Sequence, residues 1–351
     1  MAKTRSKVSL QEIANKFGVS KNAVSLALNN KPGVSEELRG NILKTAQELN
    51  YQGVTKKNAN KCNNFLALIP EYIKSDPNFY NGLYWAIENE AKSRGYNAIL
   101  ACVDKKMENE LRLPNVYYEL SIRGIMILGI FETDYIRMVS ELNLPLVSVD
   151  SVYENFKIDA VGNANFESGY CMTSYLVEKG HRDIGFMGPL NVRNFFERWS
   201  GFCKAMRDNH LKIDEGHCVC HDSSMAMQYR NCDEIEPYIA KMERLPSAFI
   251  CAGDHIAVAL LGVFTQKNIR VPEEVSIAGI DDIELARMIT PQLTTYTIDR
   301  SKIGYHAVEM LIQNMDNQGC GGKKLAVYGN LTERMSVSDL NYDTATLLQE
   351  P

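Results

Sequence analysis

Two stretches of this 351-residue chain place chemically capable side chains close together. In Lys21-Asn22-Ala23-Val24-Ser25-Leu26-Ala27-Leu28, helical spacing gathers Ala23, Val24, Ala27 and Leu28 into a narrow apolar stripe. Lys21, Asn22, Ser25 and Leu26 are left on or beside the opposite face. Lys and Asn reach base edges in a major groove, and small residues elsewhere let such a helix come close. The second stretch, His217-Cys218-Val219-Cys220-His221, puts four nitrogen or sulfur ligands within five residues. On a strand the Cys pair and the His pair would point to opposite faces, which does not make one tetrahedral centre. Ordinary buried or edge-strand residues are expected there, with no metal and no cofactor. No GxGxxG follows the first strand, neither GxxxxGK[ST] nor GxSxG occurs, and His181 and His255 lack a nucleophile partner in a known motif. No enzymatic activity is expected.

The Lys21 helix needs a frame to hold it. Ser9-Leu10-Gln11-Glu12 is a capping box, and Leu10, Ile13, Ala14 and Phe17 follow at helical spacing. Gly18 tolerates the positive φ that ends this helix, and Ser20 can cap the next. After Pro32-Gly33, Leu38, Ile42, Leu43, Ala46 and Leu49 supply a third helix and close a three-helix core. Residues 1–60 hold ten Lys and Arg against four Glu, a charge of +6; the whole chain carries −5, so the remainder carries −11. A basic head on an acidic body implies one localised phosphate-facing surface rather than general polyanion binding.

The segment VSLQEIANKFGVSKNAVSLALNNKPGVSEELR resembles the N-terminal domain of the lactose-repressor (LacI/GalR) family of bacterial transcription regulators. GHRDIGFMGP at 180–189, PSAFICAGDHIAVALLGVF at 246–264 and VPEEVSIAGIDDIELARMITPQLTTY at 271–296 resemble the effector-binding core of that family. The resemblance implies an all-α three-helix helix-turn-helix head followed by an α/β core of two Rossmann-like subdomains, as in periplasmic binding proteins. The expected division is a head at 1–50, a hinge at 51–63 and a two-lobed core at 64–351. Lobe 1 would span about 64–161 and 293–323, and lobe 2 about 162–292 and 324–340. Independently, from residue 64 short apolar runs alternate with amphipathic stretches, as in parallel βαβ units. Strands are expected at 65–69, 98–103, 124–128, 145–149, 184–187, 248–252 and 275–279; helices at 79–94, 166–179, 197–209, 255–267 and 301–315.

Carried over residue by residue, the resemblance implies DNA contacts by Ser9, Ser20, Lys21, Asn22, Ser25, Leu26 and Asn29, with Lys56 and Lys57 tracking phosphates. Leu26 stands where many members carry Arg, so an apolar contact replaces a bidentate reading of guanine. Gly53 replaces the usual Pro, and Asn60 the wedging Leu, of the hinge; a helix that kinks the operator centre is not expected. In the cleft between lobes the resemblance implies effector contacts by Phe79, Tyr80, Asp150, Arg193, Phe195, Arg198, Asp254 and Asp281. Aromatic faces stack on planar or CH-rich ligands, strand-end carboxylates accept from hydroxyls, and the Arg fork suits bidentate recognition. Asp254 is expected mainly to cap a helix, as is one of Asp281 and Asp282. Gly253 stands where many relatives use Asn.

These observations describe a sequence-specific DNA-binding regulator, a repressor, acting as a homodimer on a pseudo-palindromic operator under control of a small effector, a carbohydrate. A protein corepressor in place of that effector, or a sugar receptor without regulatory output, are the competing readings. The absence of a secretory h-region, of a spanning apolar run and of a disulfide-like pattern among nine cysteines points to the cytoplasm, alongside the nucleoid. The tail lacks sustained heptads, so a coiled-coil tetramer is not indicated.

Overall fold

Leu10–Phe17 (α1), Lys21–Leu28 (α2) and Glu36–Glu48 (α3) bury Ile13, Ala14, Val24, Ala27, Ile42 and Ala46 against one another. The computed structural model describes residues 9–28, 33–48, 63–75, 77–220, 231–317 and 321–341. By its internal contacts the chain divides into a unit of residues 1–64 with 115–122 and a unit of residues 65–114 and 123–351.

The larger unit is built on two six-stranded sheets. The strands, in chain order, are β1 (Asn64–Pro70), β2 (Asn97–Val103), β3 (Ile122–Leu128), β4 (Leu146–Val149), β5 (Asp159–Asn163), β6 (Ile184–Met187), β7 (Cys218–Val219), β8 (Ala248–Cys251), β9 (Ser276–Asp281), β10 (Thr294–Thr297), β11 (Lys324–Val327) and β12 (Asn330–Thr332). The helices of eight or more residues are α4 (Pro77–Ser93), α5 (Thr133–Ser140), α6 (Asn165–Glu178), α7 (Arg193–Asp208), α8 (Cys232–Ile239), α9 (Asp254–Gln266) and α10 (Arg300–Asn317). Sheet order is β11-β5-β4-β3-β1-β2 in the first lobe and β12-β10-β9-β8-β6-β7 in the second. Each sheet therefore reverses order beside its first strand, which opens a crevice at the carboxyl ends where doubly wound sheets take ligands. Runs such as Phe65–Ile69 and Ala248–Cys251 are buried throughout, as strands covered on both faces must be.

All seven strands expected from apolar runs are present, β6 with the expected bounds and the others with ends shifted by one or two residues. The short β5, β10, β11 and β12 were not anticipated, and β7 is an edge strand where buried or edge-strand residues were expected. Two of them move the lobe boundaries: Thr294–Thr297 pairs with β9 in the second sheet, and Lys324–Val327 pairs with β5 in the first. The expected assignment of 293–323 to lobe 1 and 324–340 to lobe 2 is corrected accordingly, the chain crossing after Asn163, Thr297 and Val327. TTYT and KLAV are too short and too polar to register as apolar runs.

Helices α6 and α7 touch backbone to backbone. A Cβ on Gly169 would come 2.0 Å from Arg198 O, and one on Gly201 2.0 Å from Phe166 O. Only glycine permits this approach, and it sets the position of the arginine that follows.

Candidate functional site

In the head, Ser9 Oγ accepts from Glu12 N–H at 3.3 Å while the Glu12 carboxylate accepts from Ser9 N–H at 2.8 Å. Gly18, at φ +63°, ends α1, and Ser20 Oγ accepts from Ala23 N–H at 3.1 Å to start α2. Both serines thus hold helix starts. Lys21 and Asn22 are exposed in the first turn of α2, whereas Ser25 and Leu26 are half-buried. Leu26 Cδ1 lies 3.3 Å from where a Cβ on Gly33 would stand, so part of this side chain packs on the turn. Arg39, one of the ten basic residues of the head, is buried; its Nη1 donates to Leu26 O at 3.3 Å and Ala27 O at 3.4 Å. Its charge offsets the carbonyl end of α2 instead of facing outward. Asn29, Lys56, Lys57 and the hinge through residue 62 lie outside the described residues.

In the core, Asp150 follows β4 with φ +63° and its N–H donates to Val161 O at 2.9 Å. Its carboxyl receives Tyr80 Oη at 3.2 Å and Asn194 Nδ2 at 3.2 Å, and the same amide donates to Asp150 O at 2.9 Å. Across the cleft Arg198 is 3% exposed. Its Nη2 pairs with Asp281 Oδ1 at 3.0 Å, its Nε donates to Asn165 Oδ1 at 3.0 Å, and its Nη1 donates to Ala252 O. The guanidinium stands 5.6 Å from the Phe195 ring centroid. Arg300, the first residue of α10, lies 4.9 Å from the Phe79 ring centroid and donates through Nη2 to Asp281 O at 2.8 Å. Burial pushes the Asp150 carboxyl up to about 7; Arg198 and Arg300 oppose the rise and Asp281 adds to it.

Six of the eight expected effector residues thus cluster: Phe79, Tyr80, Asp150, Phe195, Arg198 and Asp281. Arg193 is engaged elsewhere, its Nε bonding Glu197 at 3.0 Å and its Nη1 reaching Glu154. Residues 193–196, which precede the helix expected at 197–209, form the first turn of α7, so Asn194 turns toward Asp150 while Arg193 turns away. Asp254 does not cap α9, whose N-cap is Gly253 with no side-chain cap bond. Fully buried, its carboxylate accepts from Ile283 N–H at 3.0 Å and Thr295 Oγ1–H at 2.6 Å, tying the turn after β9 to β10. Burial, with Asp281 nearby, raises it to about 7. The short helix after β9, Leu285–Met288, has Glu284 at its N-cap rather than Asp281 or Asp282. Asp282 is held below the ordinary carboxylate range: its burial would raise it, but Arg287 at 2.7 Å and Arg334 at 2.5 Å outweigh that.

Sequence reasoning missed Asn194, Asn165 and Arg300. Asn194 is four residues before Arg198 on one helix, a spacing that would have exposed it had the helix been started at 193. Arg300 carried no signal, since its role depends on a chain crossing. At Gly253 a Cβ would lie 2.9 Å from His255 Cε1 and 3.2 Å from Asp281 Oδ2. The imidazole and carboxylate occupy the space an Asn side chain would enter. Elsewhere His217 is buried, with Nδ1 2.9 Å from Asp183 Oδ1 and Nε2 3.1 Å from Arg244 O, a structural contact set; His221 lies outside the described residues.

A helix-turn-helix with exposed polar residues on its second helix, joined to a two-lobed α/β unit with a charged cleft, is matched by known proteins at both ends. Residues 9–53 match the model of bacterial regulatory proteins of the lacI family, and residues 173–337 that of the periplasmic binding protein-like domain. The chain thus carries a lacI-family helix-turn-helix domain followed by a periplasmic binding protein-like domain. It is 28% identical over 335 residues to the HTH-type transcriptional repressor PurR of Proteus mirabilis (strain HI4320), covering 94% of the chain and 97% of that protein. Its fold is that of the lac repressor dimer bound to operator and the anti-inducer ONPF (TM-score 0.66, 21% identity, 95% of this chain and 100% of that one). It is likewise that of the transcriptional regulator CelR–cellobiose complex (TM-score 0.67, 22% identity, 94% and 100%). The chain is a DNA-binding transcriptional repressor with a core for a small-molecule effector. Among the described residues no helix is long and apolar enough to cross a membrane.

Proposed function

We propose that this repressor acts in the cytoplasm as a homodimer on a pseudo-palindromic operator, and that a carbohydrate in the cleft between lobes sets its operator affinity. The observation that carries the effector reading is the convergence of Asp150, Arg198 and Asp281, with Tyr80 and Asn194 beside them. Such a set offers donors and acceptors from both lobes to a ligand whose hydroxyls do both. An aromatic wall at Phe79 and Tyr80 suits the CH face of a sugar ring.

The head at 1–50, the hinge at 51–63 and the core from 64 divide the work. Lys21 and Asn22 read bases, Ser25 and Leu26 contact the groove floor, and Ser9, Ser20, Asn29, Lys56 and Lys57 position the backbone. One head buries too little DNA to discriminate, and two heads related by a two-fold axis read two half-sites. The test begins with selection of operators from random DNA by the full chain, followed by anisotropy titration with and without a panel of sugars. A palindromic consensus whose affinity changes at least about tenfold with one sugar, together with a ligand-induced rise in melting temperature, is the expected result. A non-palindromic consensus would refute the dimer. Melting unaffected by every sugar, with operator affinity changed only by a cell extract's protein fraction, would move the control to a protein corepressor.

A further inference from the structure

Each of the three passages between lobes brings one aromatic ring to the same place. Phe166 follows the passage after β5, Tyr296 stands in β10 just before the second passage, and Tyr328 lies in the third, between β11 and β12. Together with Glu167 they line an open groove of about 480 Å³ that shares no residue with the Asp150–Arg198–Asp281 cluster. The arrangement is built rather than incidental. Gly329 N–H donates to Tyr296 Oη at 2.8 Å, and a Cβ on Gly329 would come 2.0 Å from Thr297 O and 2.7 Å from Tyr296 Cε1. Only glycine lets the third passage lie against that ring. Phe166 is 39% and Tyr328 64% exposed, so these rings do little for the core and present faces to solvent.

Charge decides what the groove would take. Lys204 Nζ lies 2.6 and 2.5 Å from the two Asp208 oxygens and 6.0 Å from the Tyr170 ring centroid, so an ammonium already rests over an aromatic face among the lining residues. Glu167, also in the lining, acts on Tyr296, whose hydroxyl is raised chiefly by burial, and Glu167 has no ion-pair partner among the described residues. With Lys204 and Asp208 neutralising each other, a single carboxylate and the exposed rings of Phe166 and Tyr328 remain, while Tyr296, 3% exposed, offers little of its face. An anion would be repelled; a neutral sugar could offer hydroxyls to Glu167 but no charge to the ring faces, whereas an alkylated ammonium satisfies both features. We propose that this groove is a second ligand site, distinct from the effector cleft, that takes an organic ammonium cation against Phe166 and Tyr328 with its charge toward Glu167. Because the walls come from all three passages, an occupant that contacts them differently in two lobe arrangements shifts the balance between those arrangements.

The test uses the full chain, choline as probe and its neutral isostere 3,3-dimethylbutan-1-ol as comparison, in calorimetric or NMR titrations at constant ionic strength. Choline is expected to saturate with a Kd below about 20 mM and the isostere to bind at least about fivefold more weakly. Tyr328→Leu, at an exposed position that leaves the fold unchanged, and Glu167→Gln should each weaken choline about three- to thirtyfold. Equal binding of choline and isostere overturns the choice of ligand class. Absence of saturation by choline, or undiminished binding in both variants, overturns the site.

Discussion

Replacing Asp150 by Asn tests whether the cleft holds a proton near neutrality. Burial carries this carboxyl from 3.8 to about 7, a difference worth at most roughly 4 kcal/mol at about 1.4 kcal/mol per unit. Below about pH 4 folded and unfolded chains both keep the proton, so the group adds no cost to the wild type. Between there and about pH 7 the unfolded chain releases it first, and wild-type stability falls as pH rises; above about 7 the full cost is present. Asn cannot ionise. It retains an acceptor and a donor for Tyr80 and Asn194, and rearranging those bonds costs about 1 kcal/mol at every pH. The stability of Asp150→Asn relative to wild type should therefore rise by about 2–3 kcal/mol between pH 5 and pH 8. Urea unfolding followed through the fluorescence of Trp199, which stacks on Phe202 next to Arg198, reports on the right part of the molecule. Asp254 titrates in both proteins and cancels in the difference. Two unfolding series that stay parallel from pH 5 to 8 would show that Asp150 is ionised throughout, and the account of the cleft as a buried, partly protonated acid site would be wrong.

Lys21→Ala and Asn22→Ala should weaken the selected operator by about tenfold or more while random DNA loses far less; anisotropy showing equal losses on both would remove these residues from base reading. Arg198→Met leaves the buried Asp281 carboxylate without its guanidinium, and urea unfolding should show a loss of about 3–5 kcal/mol together with loss of sugar binding. Gly201→Ala drives a methyl into Phe166 O at 2.0 Å, so calorimetry should show a fall in melting temperature matching at least about 1–3 kcal/mol; an unchanged melt would mean α6 and α7 can part freely.

Which parts of this were legible in the sequence follows from how far each feature depends on distant contacts. The head was readable because its signals are local: a capping box, a glycine at positive φ and an apolar stripe are settled within one or two turns of chain. Arg39 was not, since nothing nearby says that its guanidinium turns inward to the carbonyls of α2. The long buried strands declared themselves as apolar runs, while TTYT and KLAV are strands only because β9 and β5 wait beside them. In the cleft the resemblance located Asp150, Arg198 and Asp281, whereas Asn194 and Arg300 depend on where a helix starts and where the chain crosses. Asp254 shows the limit of local rules, for a carboxylate in a helix's first turn ordinarily serves that helix. Here two donors separated by many residues, Ile283 N–H and Thr295 Oγ1–H, claim it instead.

Helix α7 explains how ligand contact and lobe position can be one event. Its Arg198 holds the strand ends of the second lobe through Ala252 O and Asp281, and its backbone lies against Gly169 of α6. From the same helix Asn194 donates to Asp150 of the first lobe, Arg193 reaches Glu154, and Glu197 accepts from Lys324 Nζ at 3.2 Å. Most of these outer ion pairs are partly exposed and individually worth little, about 0–1 kcal/mol, so they cannot by themselves fix the lobes. The amide bonds of Asn194 to Asp150 are different because the acceptor is buried. A ligand hydroxyl that binds the Asp150 carboxyl must compete with Asn194 or join it, and only the first exchanges a contact between lobes for a contact with ligand. Since a ligand shifts an equilibrium solely through its unequal affinity for the two states, the competition at Asp150 is where the proposed effector would acquire leverage over the arrangement of the lobes.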